Sequence, residues 1–566
     1  MKIKELHEKL EFENMREMIE AVGDMYPTRT AISYRENPTD KEIRQVSYAQ
    51  LRDDVRALAS EFLSRGMKGK HCALIGRLSY PWVCTYYASL CAGAVLVPLD
   101  RDWQKDDLAQ TVISANAEFL ICDSDITNKA EAIKNTAGVQ SVIYTDGENG
   151  ERIFDLIASG RERFINDDNI YFSEDINSDT LSLLVFTSGT TGKGKGVMLT
   201  QRAILTDISN ILPYIEYDES GEKAIGVLPP HHTYGSSVGI LAPAFIGAEI
   251  YLSSGVRYLQ KEMAEQKPTL MILVPIYLET FYRKILAGIN DKGKDEFFAK
   301  AVKTSNRLRR MGVDVRKKLF RSVTASFGGE LRLVISGGAH ISQEILDLFD
   351  SIGVTILNGY GITECAPVIS FNHSKNIIAG SVGNPLSIDS VKIADPNTDG
   401  EGEICVKGVN VMMGYYNDPE ATADAFDMYG YFKTGDYGRI GKKGELYITG
   451  RKKNLIILSN GKNVYPEEIE TELSSVPGVV DVIVYEGQSR RGVMHNAIVA
   501  EIYPDLEYMK KNGIEDIKEY FQNAVNEYNR SAVAYKKIGL VRIRSTEFPK
   551  NTLKKIMRFK LDMSID

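Results

Sequence analysis

Leu181-Ser182-Leu183-Leu184-Val185-Phe186-Thr187-Ser188-Gly189-Thr190-Thr191-Gly192-Lys193-Gly194-Lys195-Gly196 runs from an apolar strand straight into a loop of glycines, hydroxyls and lysines. Glycines let backbone N–H groups close around phosphate oxygens, hydroxyls add donors, and lysines neutralise charge. The spacing Gly189-x-x-x-x-Gly194-Lys195 nearly fits a Walker A loop, but Gly196 stands where that motif needs Ser or Thr. The same text recurs in outline twice more. Leu331–Ser336 leads into Gly337-Gly338-Ala339, and Val354–Leu357 leads into Asn358-Gly359-Tyr360-Gly361-Ile362-Thr363-Glu364. In α/β folds the C-terminal ends of strands open into ligand-binding loops, so the three loops are expected to build one site.

The individual residues point the same way. Tyr360 offers a flat ring for stacking a base. Glu364 offers a carboxylate for Mg²⁺, a hard cation usually held by one or two carboxylates together with phosphates. Further along, Asp436 in Tyr431-Phe432-Lys433-Thr434-Gly435-Asp436 can accept from ribose hydroxyls, although an Asp in a tight turn is an equal reading of that text alone. Two basic texts follow, Gly450-Arg451-Lys452-Lys453-Asn454 and Pro549-Lys550-Asn551-Thr552-Leu553-Lys554-Lys555-Ile556-Met557-Arg558. In isolation they read as a linker and a solvated tail.

With 566 residues, the chain is too long for one core, and the change of texture near Gly450 places a boundary between 449 and 450. Beyond it, Pro466 at a helix start, Glu467 and Glu468 in the first turn, and Ile469 and Leu473 one turn apart predict an amphipathic helix. A net charge of −8 argues against a nucleic-acid protein. The apolar stretches 82–99 and 238–252 read as buried helix–strand pairs, and no membrane span or leader is expected, which favours a cytoplasmic location with peripheral membrane contact left open. The six cysteines form no CxxC pair and read as buried or free thiols, so no structural metal is expected. The stretch 290–321 is helical and basic and reads as a solvated face.

Taken together and in this order, the six elements resemble the acyl-adenylate-forming superfamily. Lys318–Ser342 makes the chain look most like its AMP-forming long-chain fatty acyl-CoA synthetases. The resemblance implies a large multi-layer α/β N-terminal domain and a smaller, mobile α+β C-terminal domain. It implies ATP, Mg²⁺ and coenzyme A as the molecules used. Thr187, Ser188, Gly189, Thr190, Thr191, Gly192 and Lys195 match the loop that holds the departing phosphates. Gly338 and Ala339 match the adenine-side turn, with Tyr360 and Gly361 beside the ring. Thr363 matches a phosphate contact, Glu364 the Mg²⁺ ligand, Asp436 the ribose contact and Arg451 its helper. His232, in Pro229-Pro230-His231-His232, matches the histidine beside the carboxylate substrate. Lys453 matches the hinge and Lys555 the adenylation lysine, preferred to Lys554 because Ile556 and Arg558 then keep the family's spacing. The chain departs from the family pattern at Gly194, Asn454 and Leu553-Lys554.

The implied reaction activates a carboxylate as acyl-AMP, releases pyrophosphate, and passes the acyl group to the thiol of coenzyme A. Alternatives are an aryl acid as substrate, a carrier-protein phosphopantetheine as acceptor, or a regulatory protein with a degenerate nucleotide site. Val238, Ile240, Leu241, Tyr277 and Phe281 are candidates for an acyl pocket, with ordinary core an equal reading of each. Oligomeric state is not legible.

Overall fold

The computed structural model describes residues 5–147, 150–166, 168–187, 194–291, 293–457, 463–487, 497–551 and 555–564. The chain divides into two compact units, Met1–Ser390 with Lys407–Phe432, and Val391–Val406 with Lys433–Asp566.

Two sheets organise the first unit. The larger runs in the order Asn384–Pro385, Val368–Phe371, Thr355–Gly361, Leu333–Ser336, Leu270–Leu273, Lys223–Gly226, Glu249–Leu252, Thr30–Tyr34, Arg44–Ser47. Its central strands are parallel and buried along their length, as Leu-Val-Ile-Ser and Leu-Met-Ile-Leu require, because helices cover both faces of such a sheet. The second sheet runs Gly414–Tyr415, Lys195–Thr200, Leu181–Thr187, Val95–Leu99, His71–Ile75, Ala117–Cys122, Ser141–Tyr144, Glu151–Arg152. Both apolar stretches fold as expected. Helix Tyr80–Cys91 feeds strand Val95–Leu99, and the π-helix Tyr234–Leu241 with Ala242–Phe245 feeds Glu249–Leu252. All six cysteines are buried, and none is in a disulfide. Near the N-terminus a helix occupies Met15–Met25, where the Asn14 side chain accepts from the Glu17 N–H at 3.0 Å.

In the second unit, strands Asp389–Ala394, Gly402–Gly408, Phe432–Ile440 and Leu446–Arg451 form one sheet, entered from the first unit. A three-stranded sheet, Val479–Gly487, Ala497–Pro504 and Leu540–Ile543, packs with helices Pro466–Ser474 and Ile517–Ser531 around one apolar cluster. Ile469 and Leu473 point into that cluster, as their spacing predicts. Compactness parts the chain at 390/391, 406/407 and 432/433, earlier than the 449/450 boundary read from composition. The reason is that hydrogen bonding makes Phe432–Ile440 and Leu446–Arg451 one antiparallel pair, which carries the sheet across residue 450.

Candidate active site

The glycine-rich loop lies between two paired strands. Leu181–Thr187 pairs antiparallel with Lys195–Thr200, and Thr187 stands opposite Lys195, so both flanks of the loop are fixed by the ladder. Ser188, Gly189, Thr190, Thr191 and Gly192 lie outside the described residues. On its other edge Lys195–Thr200 pairs with the short strand Gly414–Tyr415, Tyr415 opposite Val197. The Lys195 ammonium lies 4.5 Å from the centroid of the Tyr415 ring, a cation–π contact. The Tyr415 hydroxyl donates to Glu364 Oε1 at 3.1 Å, and the Met412 N–H donates to the Glu364 carbonyl at 2.8 Å. Lys195, Tyr415 and Glu364 thus form a line of cation, ring and carboxylate at the end of the hairpin. Burial, then the Glu364 carboxylate, push the Tyr415 hydroxyl up, so it stays a neutral donor across the working pH range.

Glu364 sits in a short 3₁₀ turn, Thr363–Cys365, reached through an extended strand rather than a turn. Strand Thr355–Gly361 continues through Asn358-Gly359-Tyr360-Gly361 and pairs antiparallel with Val368–Phe371, with a register shift between Tyr360 and Gly361. The ladder wins over the turn propensity of Gly-Tyr-Gly because Val368–Phe371 offers partners for it. A Cβ at Gly361 would lie 1.8 Å from the Pro367 carbonyl oxygen, so glycine is what lets the two strands close. The neighbouring strand Leu333–Ser336 is parallel to Thr355–Gly361, Ser336 beside Asn358, and is followed two residues on by Gly338, whose φ is +84°. Gly338, Ala339 and Tyr360 therefore emerge from the same end of adjacent strands. Under them, the Tyr234 hydroxyl lies 3.1 Å from the carbonyls of both Leu273 and Ile335, and its ring packs against Gly337.

Two residues ahead of Tyr234 stands His232, its ring 4.3 Å from that of His231. His231 Nε2 is 3.6 Å from Asp100 Oδ2, and burial pulls the imidazole down to about 4. His231 is a neutral neighbour that packs against His232, and both residues are half-buried. Val238, Ile240 and Leu241 are buried in the π-helix that follows, and Tyr277 and Phe281 pack in the core around helix Pro275–Asn290.

A buried polar cluster braces this region from behind. Asp207 accepts from the Val368 N–H at 3.1 Å and from Asn410 Nδ2 at 3.2 Å. Asn410 Nδ2 also reaches Asp389 Oδ2 at 3.2 Å and the Val368 carbonyl at 2.9 Å. Burial raises Asp207 well above the carboxylate range and Asp389 to about 7, with the Asn410 amide opposing both.

In the second unit, Thr434-Gly435-Asp436 is part of strand Phe432–Ile440, not a free turn; Gly435 takes φ +71° within it. Asp436 is buried and stands opposite Arg451 in the ladder, with Arg451 Nε 3.1 Å from Asp436 Oδ1. Lys453 lies in the 3₁₀ turn Lys452–Asn454, whose flanks are held by Lys452 on Glu403 at 2.6 Å and Asn454 on Glu467 at 2.6 Å. Lys555 is tied to Asn551. Its N–H donates to Asn551 Oδ1 and its carbonyl accepts from the Asn551 N–H, both at 2.9 Å. The residue as a whole is exposed, yet its ammonium is pulled down to about 8, by desolvation first and then by the Arg451 guanidinium, with Asp436 opposing. Lys554 lies outside the described residues.

The model of the family described as "AMP-binding enzyme" matches residues 19–416 of the chain. The chain belongs to that family. The match holds the hairpin, the Gly338 turn, Glu364 and Tyr415, and ends before Asp436, Arg451, Lys453 and Lys555. Among relatives of this AMP-binding enzyme, long-chain-fatty-acid–CoA ligase 5 of Rattus norvegicus is 30% identical over 537 residues, covering 89% of this chain and 77% of the rat protein. The chloroplastic long-chain-fatty-acid–[acyl-carrier-protein] ligase AEE15 of Arabidopsis thaliana is 27% identical over 556 residues, covering 85% and 75%. The crystal structure of ATP-bound MatB from Rhodopseudomonas palustris shares the fold, with a TM-score of 0.75 at 24% identity over 96% of this chain and 97% of that one. No helix among the described residues is long and apolar enough to cross a membrane.

Sequence reasoning missed Tyr415, Tyr234 and the Asp207–Asn410–Asp389 cluster. Gly414-Tyr415 carries a faint signal, a second Gly-Tyr pair after strand text. Asp207 and Asn410 carry none, because their meaning arises only where helix Gln201–Ile211 meets residues 203 positions away in the chain.

Proposed function

We propose that this AMP-binding enzyme is an acid–thiol ligase that joins a fatty acid to coenzyme A through an acyl-AMP intermediate. The observation that carries the reading is the Lys195–Tyr415–Glu364 line at the mouth of the glycine-rich hairpin. A cation for phosphate and a carboxylate for a hard metal are held there by one buried ring. The names of the rat and Arabidopsis relatives support a long-chain fatty acid as the acid.

In this proposal a fatty carboxylate, already ionised at neutral pH, attacks the α-phosphorus of ATP and pyrophosphate leaves, so no general base is needed. Catalysis is positioning and charge stabilisation. Thr187, Ser188, Gly189, Thr190, Thr191, Gly192 and Lys195 take the departing phosphates. Gly338, Ala339, Tyr360 and Gly361 seat the adenine, Asp436 with Arg451 the ribose, and Thr363 a phosphate oxygen. Glu364 would hold Mg²⁺, and a half-buried carboxylate oriented by a neutral tyrosine suits a hard cation. When bound, Mg²⁺ supplies positive charge to the phosphate oxygens. His232 sits beside the acid, Lys555 neutralises charge at the α-phosphate, and Lys453 is the point at which the chain turns between the two half-reactions. The enzyme is proposed to work in the cytoplasm.

Pyrophosphate release over a panel of straight-chain and aryl acids, with and without coenzyme A, tests the reading. Release that rises with chain length, and thioester formed only with coenzyme A, is the expected result. No release with any acid sinks it and favours a nucleotide-binding regulator. The Arabidopsis relative's name favours a second acceptor, so holo acyl carrier protein is supplied in a parallel assay; thioester on that protein alone reassigns the acceptor.

A further inference from the structure

The segment from Lys294 to Arg321 holds ten Lys and Arg against three Asp and Glu, in a chain whose net charge is −8. Composition alone reads it as a solvated face, but the structure adds an observation that solvation does not explain. Helix Asp295–Arg310 turns Phe298, Ala301 and Val302 to the core and leaves Phe297 68% and Met311, just past its end, 72% exposed. At 100° per residue Phe297, Lys300, Thr304, Arg307 and Met311 share one stripe, with Lys303 and Arg310 beside it. Val313 and Leu319, in the residues that follow, are also exposed. Some of the cations are spent inside the protein. Arg309 and Arg316 pair with Asp350 and Asp314, Lys317 with Glu330, and Lys300 with Glu296. Lys294, Lys303, Arg307, Arg310, Lys318 and Arg321 form no ion pair among the described residues.

We propose that this face, centred on Phe297, Arg307 and Met311, docks the enzyme on an anionic lipid bilayer. The two apolar anchors lie roughly 20 Å apart along the helix, with cations between them. A bilayer accepts both anchors into its acyl boundary at any lateral position and offers headgroup phosphates to the cations between them. A folded acidic partner would need two matched pockets at that separation. The segment's positive charge, against the negative remainder of the chain, also orients the molecule with this face toward an anionic surface. Docking places the enzyme where long acyl chains partition; this last clause alone rests on the fatty-acid reading.

The full chain, without ATP or acid, is co-sedimented with vesicles of phosphatidylcholine alone and of phosphatidylcholine mixed with phosphatidylglycerol. Binding to the mixed vesicles only, weakened by added salt, is expected. Phe297→Ser with Met311→Ser should lower the partition about ten-fold, and Lys303→Glu with Arg307→Glu and Arg310→Glu should abolish it. Phe297→Leu should keep it. All variants should melt like the wild type and release pyrophosphate normally with a short water-soluble acid. Equal binding to neutral vesicles, no binding by the wild type, or unchanged binding by either multiple variant overturns the proposal. Because vesicle binding is read without substrates, it stands or falls separately from the ligase activity.

Discussion

At Lys555 the proposed role turns on the charge of one side chain. A lysine at the α-phosphate acts as a cation, and its ammonium is already pulled down to about 8. For a group that must be protonated, adenylation kcat/KM is flat below that value and falls about ten-fold per pH unit above it. Pyrophosphate release measured against pH should show this break, and thioester formation from supplied acyl-AMP should not. Lys555→Ala should lose about a hundred-fold or more in adenylation and keep most of the second half; equal loss in both halves, or the same adenylation defect from Lys554→Ala, removes Lys555 from the role. Tyr415 acts one bond further out. Tyr415→Phe keeps the ring under Lys195 and deletes the donor to Glu364, at a cost of roughly 1 kcal/mol. The Mg²⁺ concentration for half-maximal adenylation should rise several-fold with little change in the KM for ATP. Asp436→Ala should do the opposite, raising that KM about ten-fold or more, because it deletes a charged acceptor.

Among elements, the joint between residues 363–368, the segment 410–415 and helix Gln201–Ile211 matters most. It hangs on the Asp207–Asn410–Asp389 cluster. Both carboxyls are raised above their unfolded values. Between the ordinary carboxylate range and about 7 the folded chain therefore binds more protons than the unfolded one, and stability from this source falls as pH rises through that window. Asp389→Asn fixes the uncharged form, so its melting temperature relative to the wild type should climb between pH 5 and 7; a constant difference would show that Asp389 does not titrate there. Gly361→Ala sets a Cβ against the Pro367 carbonyl. The strand pairing must open to admit it, and Glu364 moves with it. A clear drop in melting temperature is expected, together with a loss of adenylation that high Mg²⁺ only partly restores.

Over the whole molecule, the residues proposed for the chemistry fall in two separately compact units, Lys195 and Glu364 in one, Asp436 and Lys555 in the other. Lys453 lies within the second unit, in a 3₁₀ turn whose neighbours are pinned by Glu403 and Glu467. A chain that turns at Lys453 between half-reactions loses that freedom when Lys453→Pro fixes φ near −65° and removes an N–H. Thioester formation from supplied acyl-AMP should suffer more than pyrophosphate release, the reverse of Lys555→Ala. Equal behaviour of the two variants would place the turning point elsewhere, and the strand borders at 432/433 become the next position to fix.

Local structure was legible from the sequence because it is written in adjacent residues. The strand before the glycine-rich loop, the Gly338 turn, the helix begun by Pro466 and the buried helix–strand pairs depend on periodicity and on residue types that few other contexts use. Tertiary structure decided whatever depends on a partner distant in the chain. Tyr360-Gly361 and Thr434-Gly435-Asp436 carry turn residues, yet each lies in a strand, because Val368–Phe371 and Leu446–Arg451 supply ladders that outweigh local propensity. The 449/450 boundary followed a change in composition, whereas compactness follows hydrogen bonds that cross it. Tyr415 gains its role from an edge pairing with Val197, and Asp207 from an amide 203 positions away. Helical spacing groups Phe298 with Ala301, Val302 and Ser305, but it could not show that Phe297, one residue off that stripe, is left uncovered. Only the packed core shows which of them water, or a membrane, is left to meet.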